Sequence, residues 1–369
     1  MRMKKIILIA AVAIAAAACS KTFDTNLATE KAIGFGTWAE NMTKAHDGTW
    51  ANDESFTVYG TKTVPVDNDA NNDVTSTVFD GVAVSYATST SAWSYTNLKY
   101  WDLSAKNYTF FAFLPSSKMA SGNVSGQFTS SAVTFEHPTG IDEDVLVATK
   151  YSRTRSSSEL MPTTEVQLAF NHMASLVDIK VKKDQTIGDD AVVSVTAAKL
   201  TGIKSVGTLA VTGYDGDGKP TYTGCGWSPD ATPTVAEYAA SATLPFEVPA
   251  ESTYKTDGTV DSTTPATPYN GLIENYLLMP QTFAADAQKF VFSYTITAPD
   301  GASAVYNNIS VDLINFMTTD TNTNAGTAVG AWMPGYHYTF YVTIGAKAIT
   351  FSATVNPWTE AAGYHYLVK

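Results

Sequence analysis

Arginine is nearly missing from this chain: of 369 residues, only Arg2, Arg153 and Arg155 carry a guanidinium. Acidic residues outnumber Lys and Arg by 35 to 23, for a formal net charge of −12. Nucleic acids and anionic membranes are held by clustered Lys and Arg, so this surface repels both. Cysteine is as scarce, with Cys19 and Cys225 alone, and a disulfide framework is excluded. Cys225 lies in Gly224-Cys225-Gly226-Trp227 with no His or acidic neighbour, and reads as a packing residue rather than a nucleophile. None of His46, His137, His172, His337 and His365 stands at metal-ligand spacing from another His, Cys or acidic residue on a shared face. There is no G-x-S-x-G, phosphate loop or Rossmann glycine set. The chain therefore reads as a non-enzyme without a cofactor. Helical periodicity is also missing beyond short stretches near 38–46 and 234–242.

One hydrophobic run is present, and it sits at the start. Arg2, Lys4 and Lys5 precede an unbroken apolar stretch from Ile6 to Ala18. A membrane span needs about 20 such residues, so residues 1–18 read as a secretory leader. Small residues Ala16, Ala17 and Ala18 lead directly into Cys19. This resembles the lipobox of bacterial lipoproteins, in which the Cys is acylated, for example with palmitate, and the leader is cut before it. The alternative is an ordinary leader followed by a chance Cys. Removing the leader takes three basic residues and no acidic one, so the mature chain is more acidic still.

Everything after the leader has the composition of polar-faced β-sheet. Charged residues are only 16%, aromatics are 12%, and Thr, Ser, Val, Tyr and Phe abound, which also argues against disorder. Alternation with a period of two recurs. It places Phe56 and Val58 on one face, then Val177, Ile179 and Val181, then Phe290, Phe292, Tyr294 and Ile296. Ile309, Val311 and Leu313 repeat it, as do Tyr336, Tyr338, Phe340, Val342 and Ile344. The cleanest case is Ile349, Phe351, Ala353 and Val355 against Thr350, Ser352 and Thr354. Tyr108–Leu114 is apolar on both faces, as a central strand would be. Asp215-Gly216-Asp217-Gly218 and Pro299-Asp300-Gly301 read as turns. The polar stretch 183–190 fits a linker, dividing the mature chain near residue 185 into two β-sandwiches.

Two features are weighed as binding sites. Asp67, Asp69, Asn71 and Asp73 alternate like the first ligands of a calcium loop, but Val78 stands where the bidentate Glu belongs. A solvated loop is the competing reading. The tryptophans could stack on sugars, but most adjoin strand patterns and suit core packing better.

Several strings occur in a fixed order. They are Ala32-Ile33-Gly34-Phe35, then Thr43-Lys44-Ala45, then Phe56-Thr57-Val58-Tyr59-Gly60. Next come Tyr100-Trp101 and Tyr108 to Pro115, followed by Leu168 to Leu176. Leu278-Met279-Pro280-Gln281 and Trp332 to Phe340 follow, and Ile349 to Trp358 closes the series. In order and spacing over residues 32 to 358, these strings resemble the fimbrillin family of type V pilus subunits and fimbrillin-like surface lipoproteins of Bacteroides-like bacteria.

That resemblance implies an all-β chain of two tandem transthyretin-like β-sandwich domains behind a lipoprotein signal peptide. It gives a leader at 1–18 and an N-terminal segment with a removable first strand at 19–45. The sandwiches are then 46–185 and 186–369, the latter with a candidate donor strand at 346–369. It implies export to the outer membrane by lipid on Cys19, then cleavage by a trypsin-like protease. The cut falls at Lys44–Ala45 by residue match, where the family commonly has Arg. Lys31 is a second site, but a cut there would spare the strand. The vacated groove takes a strand from another pilus subunit or another copy, with Ile349, Phe351, Ala353 and Val355 as donor residues. Such contacts do not close on themselves and build an adhesive extracellular fimbrium. Lys44 as a plain surface lysine, and 349–355 as an internal strand, remain open alternatives. A second function on the same fold is a monomeric, lipid-anchored pilus anchor or glycan-binding lipoprotein. Under either, membrane contact runs through the lipid alone, nucleic acid is no partner, and a host or bacterial surface ligand is expected.

Overall fold

The computed structural model describes residues 31–38, 54–66, 73–114, 124–125, 131–136, 146–148, 150–155, 161, 163–188, 190–211, 225–229, 235–248, 270–318 and 326–357. In chain order the first strands are β1 (Phe35–Trp38), β2 (Ser55–Val64), β3 (Val74–Ala87), β4 (Ala92–Ser94), β5 (Asn107–Leu114), β6 (Val124–Ser125), β7 (Ser131–Glu136), β8 (Leu146–Ala148), β9 (Tyr151–Thr154) and β10 (Val166–His172). They continue with β11 (Ser175–Lys183), β12 (Val192–Lys204), β13 (Val206–Val211), β14 (Cys225–Pro229), β15 (Val235–Ala239), β16 (Phe246–Val248), β17 (Asn270–Leu278), β18 (Lys289–Thr297), β19 (Ser303–Asp312), β20 (Tyr336–Ile344) and β21 (Ile349–Pro357). The all-β expectation is met.

The first half is one curled sheet in the order β1-β10-β8-β5-β2-β3-β4, with β9 also on β5. β5 is interior to the sheet, and its Tyr108, Phe110, Phe111, Ala112, Phe113 and Leu114 are all buried. That accounts for its apolar residues on both faces. The second half is a sandwich. One sheet runs β17-β11-β20-β21, and the other β15-β12-β18-β19 with β16 on β12. Val177, Ile179, Phe340 and Val342 from the first meet Val195, Leu200, Phe290 and Phe292 from the second in one buried core. A small sheet, β14-β13-β7-β6, joins the halves. Its central pair runs antiparallel from Val206↔Glu136 to Val211↔Ser131.

Several expectations need correction. A division near residue 185 would assign β11 to the first half. β11 instead pairs with β17 and β20, and Val177, Ile179 and Val181 enter the second core. The boundary therefore lies at Met173-Ala174, between β10 and β11. Residues 183–190 do not form a linker. The buried Lys183 ammonium donates to the Gly188 carbonyl at 3.0 Å and the Ala191 carbonyl at 2.9 Å, tying that turn to the sandwich. The stretch 234–242 holds β15 rather than a helix, because Ala236 and Tyr238 alternate inward against exposed Val235, Glu237 and Ala239. Leu313 opens a short 3-10 turn after β19. At Pro299-Asp300-Gly301 the turn is present, with Gly301 at φ +86° and its N–H on the Ala298 carbonyl.

Candidate functional site

β1 is a four-residue strand at the sheet's edge, separated in sequence from β2 by residues 39–54. It runs parallel to β10, with Phe35 opposite Val166 and Gly36 opposite Gln167. On its other side the residues leading into it bond to the segment after β4. Ile33 N–H donates to the Lys99 carbonyl at 2.8 Å, and Trp101 N–H to the Lys31 carbonyl at 3.1 Å. The Tyr95 hydroxyl donates to the Ile33 carbonyl at 2.8 Å and accepts from Lys99 N–H at 3.2 Å. The segment 31–38 therefore fills a slot between β10 and residues 95–101, and holds the curled sheet closed.

Inside the slot the side chains alternate. Ile33 is completely buried and Phe35 nearly so. Phe35 enters a pocket of four rings, those of Phe79 (5.3 Å between centroids), Phe56 (5.8 Å), Tyr95 (5.8 Å) and Phe110 (6.1 Å), all met edge-on. Each such pair is worth about 0.5–1.5 kcal/mol beyond plain burial. Gly60 on β2 makes room, since a Cβ there would lie 2.9 Å from the Phe110 ring and 3.1 Å from the Phe79 ring. On the outward face, Gly34 and Gly36 let the exposed Glu165 and Gln167 side chains lie across β1. A Cβ on Gly36 would come within 2.4 Å of the Gln167 amide.

Charge near the slot is arranged for structure. Burial raises the Tyr95 phenol above its ordinary pKa and the Lys99 main-chain bond partly offsets this, so it stays a neutral donor. Asp102 takes the Lys62 ammonium at 2.7 Å and the Ser104 hydroxyl at 2.6 Å. Burial pushes the Asp102 pKa up, but these bonds win and hold it below the usual carboxylate range.

At the other end of the chain, β21 is the last strand of its sheet. It pairs antiparallel with β20 from Ile344↔Ile349 to Tyr336↔Pro357. Ala353 is fully buried, while Ile349, Phe351 and Val355 are half-buried against the core. On its outer side, Ala353 N–H donates to the Met317 carbonyl at 2.8 Å. Phe351 meets Phe316 at 5.3 Å. A cleft of about 450 Å³ opens beside Phe351, lined also by Tyr294, Tyr306, Ile309, Val311 and Ile349.

The predicted donor residues Ile349, Phe351, Ala353 and Val355 thus share one face of an edge strand in their own sandwich. Cys19, Lys44, Ala45, Asp67, Asp69 and Asn71 lie outside the described residues. Asp73 is described, and its carboxylate takes the Lys106 ammonium at 2.6 Å. His337 bonds Asp178 at 2.9 Å, and Asp178 also accepts Asn275 N–H, pinning a bulge in β17. Among the described residues, no group of three His, Cys, Asp or Glu could hold a metal ion. Trp101 and Trp332 are buried, as core packing requires. The bracing of the slot by Tyr95 and residues 99–101 was missed, because a polar turn gives no periodic signal. The two glycines around Phe35 were the available hint.

The chain matches the fimbrillin-like family over residues 43–358. It is 28% identical over 233 residues to fimbrium subunit Fim1C of Phocaeicola vulgatus, which is 59% of this chain. The chain spans 62% of the length of that relative. In fold it is similar to a fimbrial protein from Bacteroides vulgatus, with a TM-score of 0.57 at 19% identity, over 89% of this chain and 100% of that one.

Proposed function

The chain belongs to the fimbrillin-like family, and from that premise we propose that it is a structural fimbrial subunit that polymerises by strand exchange. It is exported as a lipoprotein precursor acylated on Cys19. A trypsin-like protease cuts Lys44–Ala45, a bond that lies in sequence between β1 and β2. The cut leaves β1 attached to the body only by non-covalent contacts. Its departure opens the slot between β10 and residues 95–101, an edge that invites another strand. The C-terminal strand of another copy, with Ile349, Phe351, Ala353 and Val355 facing inward, fills it. Repeated head to tail, the contact gives an extracellular filament and not a ring. The role is mechanical and adhesive and calls for no catalysis.

The observation that carries this reading is the manner of attachment of β1: a parallel neighbour, the aromatic anchor Phe35 and main-chain bonds to residues 99–101. Limited trypsin treatment of the exported chain, followed by N-terminal sequencing and size analysis, tests it. A new N-terminus at Ala45 accompanied by ladders of oligomers is expected. A chain cut at Ala45 that stays monomeric overturns it.

A second reading is favoured by the bond from Ala353 to Met317, which ties β21 into its own sandwich. On that reading the chain keeps its lipid and its strand and serves as a pilus anchor or glycan-binding surface lipoprotein. Protein recovered from cells with acylated Cys19 as its N-terminus would select it.

A further inference from the structure

Phe351 and Phe35 are aromatic residues at the same place in two similar strings. Around Phe35 the chain reads Ile33-Gly34-Phe35-Gly36-Thr37, and around Phe351 it reads Ile349-Thr350-Phe351-Ser352-Ala353. Their surroundings differ. Phe35 is enclosed by four rings, whereas Phe351 has Phe316 on one side and an open cleft on the other. Phe351 gains burial and ring contacts by exchanging its own site for that of Phe35.

We propose that Phe351 of one copy takes the place of Phe35 in the next, and so sets a single register for the inserted strand. This rests on the strand-exchange reading above. Ile349 then occupies the buried position of Ile33, Thr350 that of Gly34, Ser352 that of Gly36 and Ala353 that of Thr37. A slip of one residue turns the polar face inward. A slip of two puts Ile349 or Ala353 into a pocket shaped for a ring, leaving a cavity. The strand runs parallel to β10, as β1 does, because reversal would set Ala353 where Ile33 is fully buried. The main-chain contacts transfer unchanged. Ile349 N–H meets the Lys99 carbonyl, the Ile349 carbonyl takes the Tyr95 hydroxyl, and the Thr350 carbonyl takes Val166 N–H, as Gly34 does now. Thr350 and Ser352 bring Cβ atoms where the glycines have none. The Glu165 and Gln167 side chains, which are exposed and flexible, swing aside.

Disulfide trapping in the processed full-length protein tests the register. Gln167→Cys on the acceptor is combined in turn with Ser352→Cys, Thr350→Cys or Thr354→Cys on the donor. A disulfide needs Cα atoms about 4.4–6.8 Å apart, and a shift of two residues along a strand adds about 6.6 Å. Ser352→Cys is expected to form the intermolecular bond at least tenfold faster than the other two. Faster trapping by Thr350→Cys or Thr354→Cys overturns the register while leaving strand exchange intact. Polymers that form without trapping by any pair mean that another strand fills the slot, which also overturns it. Parent protein that is cut at Ala45 yet forms no polymer removes the strand-exchange reading itself and the register with it. Phe351→Ala is expected to slow polymerisation at least tenfold and Phe351→Leu less. Equal rates for both and the parent contradict the proposal.

Discussion

The Tyr95 hydroxyl reaches the main-chain carbonyl of Ile33 across 62 residues of chain, at 2.8 Å. A bond to backbone is blind to the side chain that carries it, so it holds any strand placed in the slot. Tyr95→Phe should lower the stability of the precursor by about 1–3 kcal/mol, because the hydroxyl also accepts from Lys99 N–H and each bond is worth about 0.5–1.5 kcal/mol net. It should weaken a polymer contact by a similar amount. Chemical denaturation of the precursor and dissociation of oligomers, run side by side, check that the two losses match.

Phe35 anchors β1 in a pocket of four rings. Phe35→Ala should cost about 3–5 kcal/mol, as large-to-small changes of buried aromatics do. The loss should stay in the first half, because its contacts are all with that core. Hydrogen exchange should therefore accelerate in β2, β5 and β10 and stay unchanged in β12 and β18.

The pocket floor is sensitive in the opposite sense. Gly60→Ala places a methyl 2.9 Å from the Phe110 ring, which is overpacking and should cost about 1–3 kcal/mol. A thermal scan of the variant beside Gly330→Ala, where a Cβ would meet nothing within 4 Å, separates this close approach from the general effect of replacing a glycine.

Much of this was legible beforehand, and the reason is periodicity. β11, β18, β20 and β21 alternate apolar and polar side chains because each has one face on a core, and their residues were read off in that way. β3 was not legible. Its first four residues, Val74-Thr75-Ser76-Thr77, are exposed, and without a buried face there is no alternation to see. The domain boundary was misplaced for a related reason. Lys183 is charged yet buried, and polar composition signals a linker whether or not the loop is tied down. The slot was half visible. The string Ala32-Ile33-Gly34-Phe35 marks a short apolar first strand, whereas the bracing by residues 95–101 depends on main-chain bonds that any residues can make.

Removing the C-terminal strand should make a chain that receives but cannot give. A chain lacking residues 346–369 should form no polymers alone. Mixed at low ratio with full-length protein, it should shorten the oligomer ladders, since each truncated copy ends a series. Unchanged ladders would show that another segment donates.

Acid should loosen the chain through carboxylates already held in the charged form. The N–H of Asp286 holds the Asp312 carboxyl below its ordinary range, with help from Lys289 at 3.2 Å; Asp102 is held down as well. Their unfolded values lie near 3.9 on average, about where free Asp titrates. The stabilisation from these bonds is therefore complete above that pH and disappears as pH falls through the lower folded values. Denaturation midpoints should be insensitive to these groups from pH 8 to 5 and drop below pH 4. Asp312→Asn combined with Asp102→Asn should make that drop shallower.

Only Met173 and Ala174 separate β10, which walls the slot, from β11, which lies against β20, and β20 runs on through residues 345–348 into β21, the strand proposed as donor. A pull on a strand seated in the slot therefore passes through one short length of backbone to the strand at the far end. Because β1 lies parallel to β10, tension along the axis loads every bond of the contact together, in shear, instead of peeling them apart one by one. The β7–β13 pairing lies beside this line and resists bending of one half on the other. Covalent backbone and sheared ladders would alternate along a string of such units, an arrangement suited to carrying tension.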